Sequence, residues 1–202
     1  MSERPATPGT LPTMEDPAAP EHRPKVTEAA QHWPLIAERM ASETSVRRRA
    51  MLAEVVAHMV GEYTGDTPMV MTTMIEEPVY RYWGLAPTPA PLGRAEVVQR
   101  YEAAAATQRD FAIDRIVLDD HHAVTEGALQ LALPAASVEA MGVDTSGQAL
   151  EPGARYLVEL RVVVLWPFST DAKITGEDIY FGSAPVLVRP LGPDEILYAA
   201  PL

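Results

Sequence analysis

Residues 156–182 read YLVELRVVVLWPFSTDAKITGEDIYFG. Tyr156–Trp166 has the Val- and Leu-rich composition of a central strand. Pro167–Ala172 supplies a turn, and Lys173–Gly182 is the returning strand. Upstream, Phe111–Asp119 and Ala123–Leu133 are also extended, joined by the polar turn Asp119-Asp120-His121-His122. Downstream, Val186–Val188 and Ile196–Tyr198 are expected to add an edge strand and a tail. Residues 134–154, with Gly142, Gly147 and Gly153, read as a long connection. The C-terminal half is therefore a meander of long antiparallel strands.

The N-terminal half has a helical period. Met51, Leu52, Val55, Met59 and Val60 mark an amphipathic helix from Ser45 to near Gly61 or Gly65. Thr67-Pro68 reads as an N-cap and first helical position, opening a short Met-rich helix over 68–74. Ile75–Tyr82 reads as a strand, 87–91 as a proline-rich loop, and 94–106 as a third helix carrying Val97, Val98 and Tyr101. A sheet of this kind must cover one face, and the preceding helices can do so, which predicts an α+β roll. Prolines 5, 8, 12, 17, 20 and 24 deny the first residues a hydrogen-bonded backbone. Residues 1–25 are expected to be a disordered tail. Residues 26–44 read as an accessory helix with Trp33, Ile36, Ala37 and Met40 on one side and Pro34 in its first turn or at a bend. Residues 45–202 form the domain proper with a C-terminal tail.

Composition narrows the function. The chain of 202 residues carries 16 Lys+Arg against 28 Asp+Glu, a net charge of −12, which disfavours nucleic-acid binding. The one basic run, Arg47-Arg48-Arg49, is expected at a solvated helix edge. With no cysteine, disulfides, thiolate metal sites and cysteine nucleophiles are excluded. No apolar run resembles a signal peptide or membrane span, so a cytoplasmic chain that does not engage membranes is expected. No phosphate loop, dinucleotide fingerprint or metal-ligand spacing occurs, and neither cofactor nor metal is expected. His121 and His122 are expected in a solvated hairpin.

Three segments carry a resemblance. Ile75-Glu76-Glu77-Pro78-Val79, then Gly93 and Ala95-Glu96-Val97-Val98-Gln99-Arg100-Tyr101, resembles the acidic–Pro strand and following helix of ketosteroid isomerases. Asp119 through Gly127 is similar to the hairpin and strand of limonene-epoxide-hydrolase-type proteins. Trp166-Pro167-Phe168 through Phe181 resembles a hairpin found across the SnoaL-like branch of the nuclear-transport-factor-like superfamily. The resemblance spans about residues 45–185. It implies a cone: three helices wrapped over a curved, mainly antiparallel sheet that encloses a pocket. It also implies that Glu77 stands at the isomerases' general base, Val164 at their second acid and His58 near their phenol. The Arg and two Asp of the epoxide hydrolases fall on Gly127, Leu129 and Ile179, so that triad is absent.

Strand alternation sorts the remaining candidates, given the register of that family. Glu177, Ile179 and Phe181 then face the pocket, with Asp178 and Tyr180 outside. Gly127, Leu129 and Leu131 face in and Glu126 out, while Val162, Val164 and Trp166 face in and Arg161 out. Glu77 and Glu177 are expected to be carboxylates facing one apolar pocket, with His58 as a further acid–base group. The alternative leaves Glu77 in solvent at the mouth, pairs Glu177 with an arginine and makes His58 a satisfied core residue. Tyr80, Tyr82 and Trp83 would frame the opening, with Tyr63 and Met74 nearby as ligand contacts. The resemblance implies a cofactor-independent isomerase, cyclase or dehydratase acting on a small hydrophobic polyketide-, terpenoid- or steroid-like molecule. The other reading is a non-catalytic binding or assembly module. A homodimer through the outer sheet face is expected.

Overall fold

The computed structural model describes residues 25–86 and 88–198, so all of the expected tail but Lys25 lies outside the described residues. Short-range capping sets the helices. The Ser45 hydroxyl accepts from the Arg48 amide and Gly65 takes φ +73°, which closes α3 (Val46–Thr64) at both ends. Met51, Leu52, Val55, Val56 and Met59 on α3 are fully buried. The next helix, α4 (Thr67–Thr72), is capped by Asp66 rather than Thr67: its Oδ1 accepts from the Met69 amide at 2.9 Å. The expected accessory helix is broken in two. Following Val26–Ala29 (α1), a 3-10 turn runs to His32, and Pro34 then opens α2 (Pro34–Ser42). The break lets Trp33 turn inward, where it is buried with Ile36. After β1 (Met74–Gly84), α5 (Gly93–Ala104) completes the helical layer.

The remaining strands are β2 (Arg109–Leu118), β3 (His122–Pro134), β4 (Arg155–Pro167), β5 (Ile174–Phe181) and β6 (Val186–Pro190). The sheet order is β1-β5-β4-β3-β2, antiparallel except for the β1–β5 pair. Its spine is β4, as the Val-rich run predicts. One edge of β4 pairs with β3 along its whole length, and the other pairs with β5 at Val162–Leu165 and with β6 at Tyr156–Glu159. Residues 196–198 do not form a strand; instead the Tyr198 ring stacks on Trp33, centroids 5.7 Å apart. The connection 134–154 opens with a short helix, α6 (Ala135–Ala140). Its Val138 makes a second small core with Leu133, Val143, Tyr156 and Val158. Six residues are too few for a helical period to show in sequence.

Two glycines let the sheet coil. A Cβ at Gly127 would lie 2.1 Å from the Ala112 carbonyl oxygen, opposite a bulge in β2 between Ile113 and Arg115. One at Gly176, whose φ is +151°, would lie 1.7 Å from the Val79 oxygen, beside the register shift in β1. Curled in this way, the sheet and its helices form an α+β cone. No helix among the described residues is long and apolar enough to cross a membrane.

Candidate functional site

The pleat directs alternate side chains into the cone. Glu177, Ile179 and Phe181 on β5, Val162, Val164 and Trp166 on β4, and Leu129 and Leu131 on β3 line one cavity of about 450 Å³. Tyr82 of β1, Met59, Glu62 and Tyr63 of α3, and Arg100 of α5 complete much of its wall. Arg161 and Tyr180 point to the outer face, where Arg161 pairs with Asp114 and Glu126.

Glu177 is 3% exposed, and its carboxylate is the centre of a buried polar cluster. Oε1 accepts from the hydroxyls of Tyr80 at 2.9 Å and Tyr101 at 2.8 Å and lies 3.0 Å from His58 Nε2. The two phenol oxygens are themselves 2.7 Å apart. Three short oxygen–oxygen contacts thus share two phenolic protons, so the protons are disposed as a chain rather than as isolated pairs. Oε2 has no hydrogen-bond partner among the described residues, which leaves it as the oxygen available to a molecule in the cavity.

The network also assigns the histidine tautomer. Thr73 Oγ1 donates to the Val70 carbonyl at 2.6 Å, so toward His58 Nδ1, 2.9 Å away, it must accept. The Nδ1 atom therefore carries a proton. The other ring nitrogen, Nε2, faces Tyr101 at 2.9 Å and Glu177. Burial pushes the Glu177 carboxyl upward, but the adjacent His58, the Arg100 charge and the Tyr101 hydroxyl outweigh it and hold the group below its ordinary value. Burial, with the Glu177 charge added, drives Tyr80 and Tyr101 well above the usual phenol range, so both stay protonated donors at neutral pH. The arrangement is an ionised carboxylate with one free oxygen, held by proton donors beside an apolar cavity.

Several expected site residues fall elsewhere. Glu77 is exposed and lies beside Gly93 at the start of α5, in a shallow surface groove outside the cone. The cause is local: β1 advances from Met74 to Val79 while β5 advances only from Ile174 to Gly176. Residues between them leave the ladder, and Pro78 has no amide to hold them in it. The two carboxylates therefore do not share one pocket. Trp83 also lies outside. Alternation that turns Tyr80 and Tyr82 inward turns Trp83 out, where it stacks on Tyr180. Met74 sits behind the cluster as an acceptor for the Tyr80 hydroxyl at 3.6 Å rather than on the cavity wall. His58 and Tyr80 likewise back Glu177. Tyr63, Tyr82, Leu129, Val164, Trp166, Ile179 and Phe181 are on the wall.

Tyr101, Thr73, Arg100, Glu62 and Arg109 complete the surroundings without having been expected there. Tyr101 follows Val97 by one helical turn, so it reads as core, and nothing near Thr73 in sequence distinguishes its hydroxyl. Arg109 is buried, and its Nη1 meets Glu62 Oε1 at 2.9 Å on the cavity wall. His121 and His122 occupy an exposed turn whose amides both bond Asp119 Oδ1 at 2.7 Å. Among the described residues there is no group of three or more metal-ligating side chains.

A coiled, mainly antiparallel sheet wrapped by helices around a lined cavity is the fold of the SnoaL-like, nuclear-transport-factor-like proteins. Among solved structures it is shared by a putative SnoaL-like polyketide cyclase from Shewanella putrefaciens CN-32, at 15% identity and a TM-score of 0.54, covering 73% of this chain and 87% of the cyclase. A computationally designed 17-OHP binder matches at 11% identity and a TM-score of 0.53, covering 69% of this chain and 98% of the binder. At such identities the likeness is one of fold. No protein-family model matches the sequence, and no curated protein matches it.

Proposed function

We propose that the chain is a cytoplasmic, cofactor-independent proton-transfer enzyme of the isomerase, cyclase or dehydratase type, acting on a small hydrophobic molecule in the cone. The observation that carries this reading is the Glu177 carboxylate: ionised, one oxygen held by two phenols beside His58, the other unpartnered toward an apolar cavity. Oε2 accepts a proton from substrate carbon, the O–H bond forms as the C–H bond breaks, and the electron pair moves onto an adjoining carbonyl oxygen. A carboxylate held below its ordinary pKa is a weak base, so the carbon must be acidified by that carbonyl. Return of the proton to a different atom completes an isomerisation; alternatively the enolate carbon attacks a second carbonyl carbon of the same molecule, that C=O π pair moves onto its oxygen, and the oxygen takes the proton back from Oε2, which completes a cyclisation. Because Nδ1 of His58 donates to Thr73, Nε2 is the ring nitrogen that faces Glu177.

The assay is deuterium uptake from D2O by a panel of cyclic and aryl ketones, followed by NMR. Uptake that disappears in Glu177→Gln, with the fold retained, is the expected result. Uptake persisting in that variant would remove Glu177 from the chemistry. Binding of panel members without any exchange would favour the second reading, a ligand-binding module. That reading draws support from the likeness in fold to a computationally designed 17-OHP binder.

A further inference from the structure

Among the described residues, Arg100 is the charged group on the cavity wall whose side chain has no ion pair and no hydrogen bond of normal geometry. The other basic side chain there, Arg109, is paired with Glu62 at 2.9 Å. No carboxylate of the described residues lies within 4.0 Å of the Arg100 guanidinium, and its Nη1 is buried without a partner. Its charge rests instead on aromatic faces: the guanidinium carbon is 5.2 Å from the Tyr101 ring centroid, 5.5 Å from that of Tyr82 and 5.9 Å from that of Tyr80. Ring faces stabilise a cation without consuming its N–H donors. The Tyr82 hydroxyl is similarly placed. It is buried and makes no hydrogen bond of normal geometry, and the Arg100 side chain lies within bonding reach of it, so one anion could accept from both.

Buried donors left unpaired are costly, and a planar guanidinium fork matches the two oxygens of a carboxylate. An anion beside Arg100 would complete the hydrogen bonding at this end of the cavity. We propose that the cavity ligand is a hydrophobic monocarboxylate, its apolar body against the Leu129, Val164, Ile179 and Phe181 wall and its carboxylate on Arg100 and the Tyr82 hydroxyl. This rests on the reading that the cone holds a small molecule, and it names the chemical class of that molecule. It also places the ligand's charged end one tyrosine ring away from Glu177, since Tyr101 touches Glu177 through its hydroxyl and Arg100 through its ring face.

Titration calorimetry with 2-naphthoate and 2-naphthamide, matched in shape and differing in charge, tests the proposal on the full chain. The carboxylate should bind roughly 10- to 100-fold more tightly than the amide. Arg100→Gln should abolish that preference by weakening the carboxylate alone. Tyr82→Phe removes one hydroxyl and keeps the ring, so it serves where Arg100→Gln does not fold; it should reduce the preference several-fold. Equal affinity for the two probes in the native protein would overturn the proposal, as would a preference that survives Arg100→Gln or Tyr82→Phe unchanged. Equilibrium selectivity is separate from turnover. Carboxylate preference without Glu177-dependent exchange would support this site and sink the enzyme reading; exchange without the preference would do the reverse.

Discussion

The Glu177 carboxylate and the His58 imidazole meet 3.0 Å apart on the inner side of the cone, both almost wholly shut off from solvent. This contact joins the middle of the longest helix to the strand that pairs with β1, and it sets the chemistry of the cavity. It also has a pH signature. Unfolded, the glutamate titrates near about 4.3; folded, its value is lowered. As pH falls, the unfolded chain takes up the proton first. The carboxylate's stabilising contribution is therefore complete above the unfolded value and is lost as pH drops through the folded one. Glu177→Gln has no such proton, so urea titrations should show the stability gap between native protein and variant narrowing below about pH 4.3. A gap of constant size from pH 7 to pH 3 would contradict the ionised state assigned to Glu177.

Thr73 holds His58 from behind. Thr73→Val keeps the shape but leaves Nδ1–H buried without its acceptor, a loss of about 1–3 kcal/mol. Thr73→Ser should recover most of it. If valine and serine destabilise equally, packing of the Thr73 methyl, not the hydrogen bond, is what matters there.

Glu77 lies outside the cone, so Glu77→Gln should leave the deuterium-exchange rate intact. Its position at the start of α5 predicts a stability change below about 1 kcal/mol, through loss of a favourable charge at a helix N-terminus. Exchange lost in this variant, with the fold unchanged, would return Glu77 to the mechanism.

Gly127 is required for close approach of two strands. Gly127→Ala should cost about 3 kcal/mol by forcing a methyl against the Ala112 carbonyl. Gly182→Ala is the control, because a Cβ there has no neighbour nearer than 3.6 Å. Similar melting temperatures for the two variants would show that the sheet can open at Gly127 without penalty.

On the outer face, the stacked Trp83–Tyr180 pair, each about half exposed, and the exposed Val117 offer apolar surface to a second copy. We propose a homodimer through this face. Sedimentation should give twice the chain mass for the native protein and a shift toward monomer for Trp83→Ser. A native protein that sediments only as monomer would remove the dimer.

The inward placement of Glu177, Ile179, Phe181, Val164 and Trp166 was legible from residue order, because a pleated strand alternates its faces locally and the hairpin turn sets its register. The helix over 46–64 was legible for a similar reason: a period of 3.6 and its caps are short-range properties. Glu77 shows where that logic stops. Its facing depends on how many residues of β1 match those of β5, a pairing settled by a partner strand about a hundred residues away. The same holds for the site. Tyr80 and Tyr101 reach Glu177 across separations of 97 and 76 residues, and Thr73 meets His58 only because α3 and the end of α4 pack together. Local periodicity decides which side of its element a residue occupies. Only the packed cone decides which polar groups then meet, because hydrogen bonding and charge pairing act over a few ångströms in space, whatever the distance along the chain.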